Sequence, residues 1–99
     1  MNLTEFKSTL TQSTPPTDLT APLLALWLDG KEDWDASHDA LQNQPDGNGS
    51  AWFHAHLHRK EGDPANARYW YRRANKPESS ATLAEEWDAI ATALLAGDL

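Results

Sequence analysis

The four residues "EGDP" at 61–64 constrain the fold of this chain more than any others. Gly62 lacks a Cβ and so takes the left-handed conformation that closes a helix. Asp63 then offers a capping carboxylate. Pro64 fits the first turn of a new helix, where its missing N–H would have had no partner in any case. Two helices joined by so short a link lie side by side and run in opposite directions. A helical hairpin is therefore expected here, and the rest of the chain must supply what covers it.

Similar punctuation recurs along the sequence. Leu3, Phe6 and Leu10 share one side of a short helix over 3–11, and "STPPTD" then breaks regular structure, because each proline removes a donor and disfavours helical geometry before it. A helix over about 20–29 is expected, with Thr20 as its cap, Pro22 in its first turn and Gly30 as a left-handed stop. The next, over 33–44, opens on Asp33, and "NQPDGNGS" closes it. Helices over 49–61 and 64–75 flank the central turn. The last, over 82–96, begins with a capping box of Thr82 and Glu85 and carries Leu83, Trp87, Ile90, Ala91, Leu94 and Leu95 at spacings of three and four. No stretch alternates like a strand for long, so the chain reads as all-α. Residues 1–19 read as an N-terminal extension and linker, and 20–99 as a single helical domain.

With 99 residues there is material for one core. The five tryptophans fall one per helix, at Trp27, Trp34, Trp52, Trp70 and Trp87, among many alanines. Large rings between closely approaching Ala-rich helices fill such a core economically. An aromatic binding box is the sharper reading of the same residues. Cysteine is absent, which excludes disulfides and thiolate metal sites and fits a reducing compartment. No segment approaches the roughly 18 apolar residues of a membrane span, and the N-terminus reads as neither leader nor anchor. A soluble, cytoplasmic chain without membrane contact is expected.

Internal repetition follows from the turns. "DGKEDWDASHDA" and "EGDPANARYWYRRA" share an acid-Gly turn, an acidic cap and a helix with a small residue soon after its start. Ala67, Tyr71 and Ala74, with Pro77 beyond, follow the spacing of tetratricopeptide repeats. On these residues, "LLALWLDGKEDWDASHDALQ" followed by "WFHAHLHRKEGDPANARYWYRRA" resembles small, functionally uncharacterised proteins with a tetratricopeptide-like (Sel1-like) helical fold, and "HLHRKEGDPANARYWYRRA" is the most specific part. The resemblance covers about residues 20–96. It implies a right-handed array of antiparallel helix pairs, about five helices in all, and no established activity. Ala51, His54 and His58 depart from the large apolar residues usual in the first helix of such a pair.

In "AWFHAHLHRKEGD", His54, His56 and His58 would form a comb on a strand. On a helix, with its period of 3.6 residues, His54, His58 and Glu61 share one face and His56 points elsewhere. Two histidines four apart with a nearby acid suit Zn²⁺ when another helix supplies a further ligand, and His38 is the one remaining histidine. The reading favoured here is that these rings pack and hydrogen-bond structurally, with no metal or other cofactor. Ser37-His38-Asp39 holds the residue types of a hydrolase triad, but neighbours on a helix point in different directions. Phosphate loops and nucleophile elbows are missing, so catalysis is not the expected role.

Charge supplies the better functional lead. The formal net charge is −7, which argues against broad nucleic-acid affinity. Between Arg59 and Lys76 the balance reverses to +4 (six cations, two acids), against −11 for the remainder (two cations, thirteen acids). Arg68, Arg72 and Lys76 repeat every four residues, with Tyr69 and Arg73 in the adjacent row. With Arg59 and Lys60 they are suited to clamp an acidic peptide or a carboxylate terminus, since guanidinium groups bind carboxylates bidentately. The expected function is thus a protein-interaction or scaffolding module whose partner is a protein or acidic peptide. Its binding residues are Trp52, His56, Arg59, Arg68, Tyr69, Arg72 and Arg73, with Trp52 and His56 exposed on the helix before the basic one. The alternatives are a small metal-assisted hydrolase built on His54, His58 and Glu61, and a homo-oligomer held together by the unequal charge of its two halves.

Overall fold

The computed structural model describes residues 1–97 and contains helices and turns, with no strand among them. The helices are α1 (Leu3–Ser8), α2 (Ala21–Gly30), α3 (Trp34–Ala40), α4 (Ser50–Lys60), α5 (Pro64–Ala74) and α6 (Leu83–Ala96). Single 3₁₀ turns follow α1 at Thr9–Thr11 and precede α4 at Asp46–Asn48. Among the described residues no helix is long and apolar enough to cross a membrane.

The start signals act largely as the sequence implies. Asp33 and Asp63 cap α3 and α5 through the N–H groups of Ala36 and Asn66, at 3.1 and 3.2 Å. Thr82 and Glu85 close their capping box reciprocally at 3.1 and 3.0 Å. Thr20 occupies the cap position of α2 but makes no side-chain cap bond. Gly30 is not the left-handed stop. It remains helical, and its lack of a side chain serves packing instead: a Cβ there would stand 2.8 Å from the Leu10 Cδ2. The left-handed residue is Glu32, at φ 61°. The helix expected over 33–44 ends at Ala40, and its last residues become turns with Asn43 at φ 62°.

Moving the stop from Gly30 to Glu32 exposes a repeat. The Asp33 N–H donates to the Leu28 carbonyl at 3.0 Å, and the Asp63 N–H donates to the His58 carbonyl at 2.9 Å. Each is the long bond of a Schellman closure, with Glu32 and Gly62 as its left-handed residue. The dihedrals of the caps agree to within a few degrees, φ −111°, ψ 80° at Asp33 and φ −112°, ψ 78° at Asp63. The turns of α2–α3 and α4–α5 thus share one conformation thirty residues apart, and three buried positions beside them correspond: Ala25 with Ala55, Ser37 with Ala67, Leu41 with Tyr71.

α4 lies at the centre, packed against α5, α6, α2 and α3. Its Phe53 and Leu57 enter the main core beside Phe6, Leu26, Trp27, Leu41, Trp87 and Ile90. Ala55 joins Ala67 and Tyr71 in a smaller cluster against α5. Phe6 stacks on Trp87 at 5.9 Å between ring centres, so residues set apart as an extension contribute a fully buried side chain to the domain core. Three indoles tie elements together: Trp27 donates to Thr9 Oγ1, Trp34 to the Leu57 carbonyl and Trp87 to the Leu26 carbonyl. The radius of gyration, 12.3 Å, is close to the roughly 13 Å of a compact chain of this length.

Candidate functional site

Helical spacing brings His54 and His58 together on α4, and α3 delivers His38 to the same place. The His38 and His54 Nε2 atoms are 2.9 Å apart, and the rings of His54 and His58 lie 4.9 Å apart at 22°. Each of the three rings offers a nitrogen within 4.8 Å of the others. His58 Nδ1 donates to the Glu61 carboxylate, while the Gln42 amide stands 3.2 Å from His38 Nδ1. Trp34 stacks on His38 at 4.9 Å, and Trp70 stacks on His54 at 3.7 Å. His54 and His58 are buried, and His38 is half-exposed. Burial, and then the positive charge that His38, His58 and Arg73 would add, lower the His54 pKa to about 3, so its ring is neutral at ordinary pH. Ser37 turns the other way and donates to the Ala25 carbonyl at 2.6 Å, which leaves no triad.

His56 corrects the expectation of an exposed aromatic surface, since it is 1 % exposed. The helical period places it correctly on a different face from His54. However, α4 is enclosed on nearly every side, and α6 covers the face assigned to solvent. His56 Nδ1 donates to Glu86 Oε1 at 2.8 Å, Arg59 Nη1 donates to the same oxygen at 2.9 Å, and the Tyr71 hydroxyl donates to Glu86 Oε2. Burial pushes the Glu86 carboxyl up, but the bonds from His56, Tyr71 and Arg59 outweigh it and hold the group below its ordinary value. Burial and the same carboxylate raise the Tyr71 hydroxyl well above the usual tyrosine range, so it keeps its proton and remains a donor.

The basic residues divide into engaged and free. Arg59 is committed to Glu86 and to the Ala81 carbonyl. Lys60 reaches the buried Asp29 at 2.8 Å. Arg73 grips Asp46 through two bonds of 2.7 and 3.0 Å and lies over Trp70 at 4.3 Å. Lys76 lies over Trp52, also at 4.3 Å, and Trp52 is half-buried beneath it. Arg68 and Arg72 are exposed and have no acidic partner among the described residues; Tyr69, exposed between them in sequence, accepts from Arg73 at 3.1 Å. Beside Arg72 an open concavity of about 430 Å³ is lined by Tyr71, Arg72, Asn75, Lys76 and Pro77, with no acid in its wall.

Of the residues expected to meet a partner, the surface therefore presents Arg68, Tyr69 and Arg72, retains Trp52 in part and withdraws His56. Pairing of the arginines with Glu86 is among the readings the sequence allows, and Arg59 makes it, but the bonds from His56 and Tyr71 to Glu86 and from Arg73 to Asp46 were missed, because sequence spacing does not report partners on another element. The stacking of Trp34 on His38 was also missed, although their separation of four residues on one helix is the signal that brings such side chains together. Comparison of the chain with family models, curated proteins and solved structures finds no match.

Proposed function

We propose that this chain is a protein-interaction module of tetratricopeptide-like build that receives an acidic peptide or carboxylate terminus on the outward side of α5. The observation that carries this reading is the acid-free concavity beside Arg72, which Lys76 and Asn75 complete. Three other cations of the basic segment, Arg59, Lys60 and Arg73, are paired with acids of the same chain, whereas Arg68 and Arg72 keep their donors free among the described residues. Salt screens charges beyond about 8–10 Å, so a ligand at this wall meets the local cations more strongly than the net charge of −7. The thirty-residue repeat of helix pairs supports the tetratricopeptide-like arrangement.

A fluorescein-labelled peptide ending in several glutamates and a free carboxylate provides the test by fluorescence anisotropy. Binding should weaken steeply with added salt. It should also fall by at least about tenfold in the Arg68→Glu, Arg72→Glu double variant, which removes two charge-assisted hydrogen-bond donors. Equal binding by the wild type and the double variant would remove the proposal.

A further inference from the structure

The three imidazoles form an arrangement that packing alone does not require. Their rings come from two helices, and two of them are oriented by outside partners. His58 gives its Nδ1 proton to Glu61, so Nε2 is its free lone pair. A carboxylate behind a histidine in this way fixes both ring orientation and tautomer and raises the basicity of the opposite nitrogen. The Gln42 amide engages Nδ1 of His38, turning the Nε2 of that ring toward His54 Nε2 at 2.9 Å. Trp34 and Trp70 wall the group on two sides through stacked faces. A second cluster, His58, Glu61 and Asp63, is less suited to a metal, because Asp63 is already used as the cap of α5.

We propose that His38, His54 and His58 form a binding site for a divalent transition metal, zinc above all, on the seam between α3 and α4. Three neutral imidazoles suit zinc, copper and nickel, whereas magnesium and calcium prefer oxygen ligands. Tetrahedral zinc at 2.0–2.1 Å from each nitrogen sets its ligands about 3.3 Å apart, so the 2.9 Å contact between His38 and His54 opens by a few tenths of an ångström, while His58, whose nitrogen lies within 4.8 Å of the other two, closes in by a rotation of its ring. The proton now shared between His38 and His54 moves to His38 Nδ1, where Gln42 accepts it by turning its carbonyl inward. His54 and His58 already offer lone pairs. The amide nitrogen of Asn66, 3.4 Å from His58 Nε2, is a long contact that yields to the metal. Half-exposed His38 admits the ion and leaves a fourth position for water.

The full-length chain, freed of any affinity tag and of metal, is titrated with ZnCl₂ by calorimetry and with Co²⁺ followed by visible absorption. One zinc per chain is expected, together with the intense bands of four-coordinate cobalt. Cu²⁺ should quench tryptophan emission at the same stoichiometry, through Trp34 and Trp70. Glu61→Gln should weaken zinc binding by about 10–100-fold, as removal of an outer carboxylate does elsewhere. His38→Gln should abolish the 1:1 event while leaving the circular dichroism unchanged. Absence of stoichiometric zinc binding by the wild type, or undiminished binding by His38→Gln, overturns the proposal. If that variant does not fold, the wild-type cobalt spectrum decides, since the weak bands of six-coordinate cobalt would also overturn it.

Discussion

Glu86 receives hydrogen bonds from His56, Arg59 and Tyr71 at a position almost closed to water, and so joins α6 to the α4–α5 pair through one carboxylate. Removing one partner of a buried ion pair strands the others, at a cost of about 3–5 kcal/mol. Glu86→Ala should lower stability by that order in urea denaturation at pH 7. The pH dependence has a definite sign. The folded carboxyl titrates below its unfolded value of 4.5, so its contribution is complete above that pH and is lost as pH falls through the folded value. Denaturation of wild type and Glu86→Gln between pH 7 and 3 should show the gap between them narrowing below about pH 4.5. A constant gap would place the stabilisation elsewhere. Part of this was legible at the residue level, where Glu86 reads as an acid on a solvated face or as a partner of the arginines; the pairing with Arg59 is present, whereas the bonds from His56 and Tyr71 come from other helices and leave no trace in spacing.

At the level of elements, the helices were legible because their signals are local. Asp63, Pro64, Thr82 and Glu85 act within one turn of themselves. Where the expected stop fails, the glycine has another use: Leu10 fills the space a Gly30 side chain would take, Gly30 stays helical, and the left-handed turn falls on Glu32. The two copies of that turn make a reciprocal test. Non-glycine residues in this conformation pay roughly 1–2 kcal/mol, and nothing lies within 4 Å of where a Gly62 Cβ would be. Backbone strain therefore dominates at both sites. Glu32→Gly should raise the melting temperature, and Gly62→Ala should lower it, each by about 4–8 °C for a change near 1 kcal/mol. Glu32→Gly also removes the ion pair with Lys60, but at 3.4 Å and with Glu32 exposed this pair is weak and offsets little. Shifts in the opposite directions would show that the two turns do not share one conformation.

For the molecule as a whole, the centrality of α4 explains both what the sequence revealed and what it concealed. Periodicity separated His56 from His54 and His58, but it carried no information on how many neighbours would surround the helix, and α6 buried the face left for a partner. The charge asymmetry was legible and survives in a reduced form. Asp29, Asp46 and Glu86 absorb Lys60, Arg73 and Arg59, and the outward side of α5 keeps Arg68 and Arg72. The proposed binding role rests on that residual positive face. Its most direct test is a ¹⁵N amide-correlation titration of the full chain with an unlabelled glutamate-rich peptide. The largest shifts should fall contiguously on Arg68, Tyr69, Arg72, Asn75 and Lys76, while the amides of α1 and α2 stay in place. Shifts spread evenly over the surface, or concentrated away from α5, would contradict it.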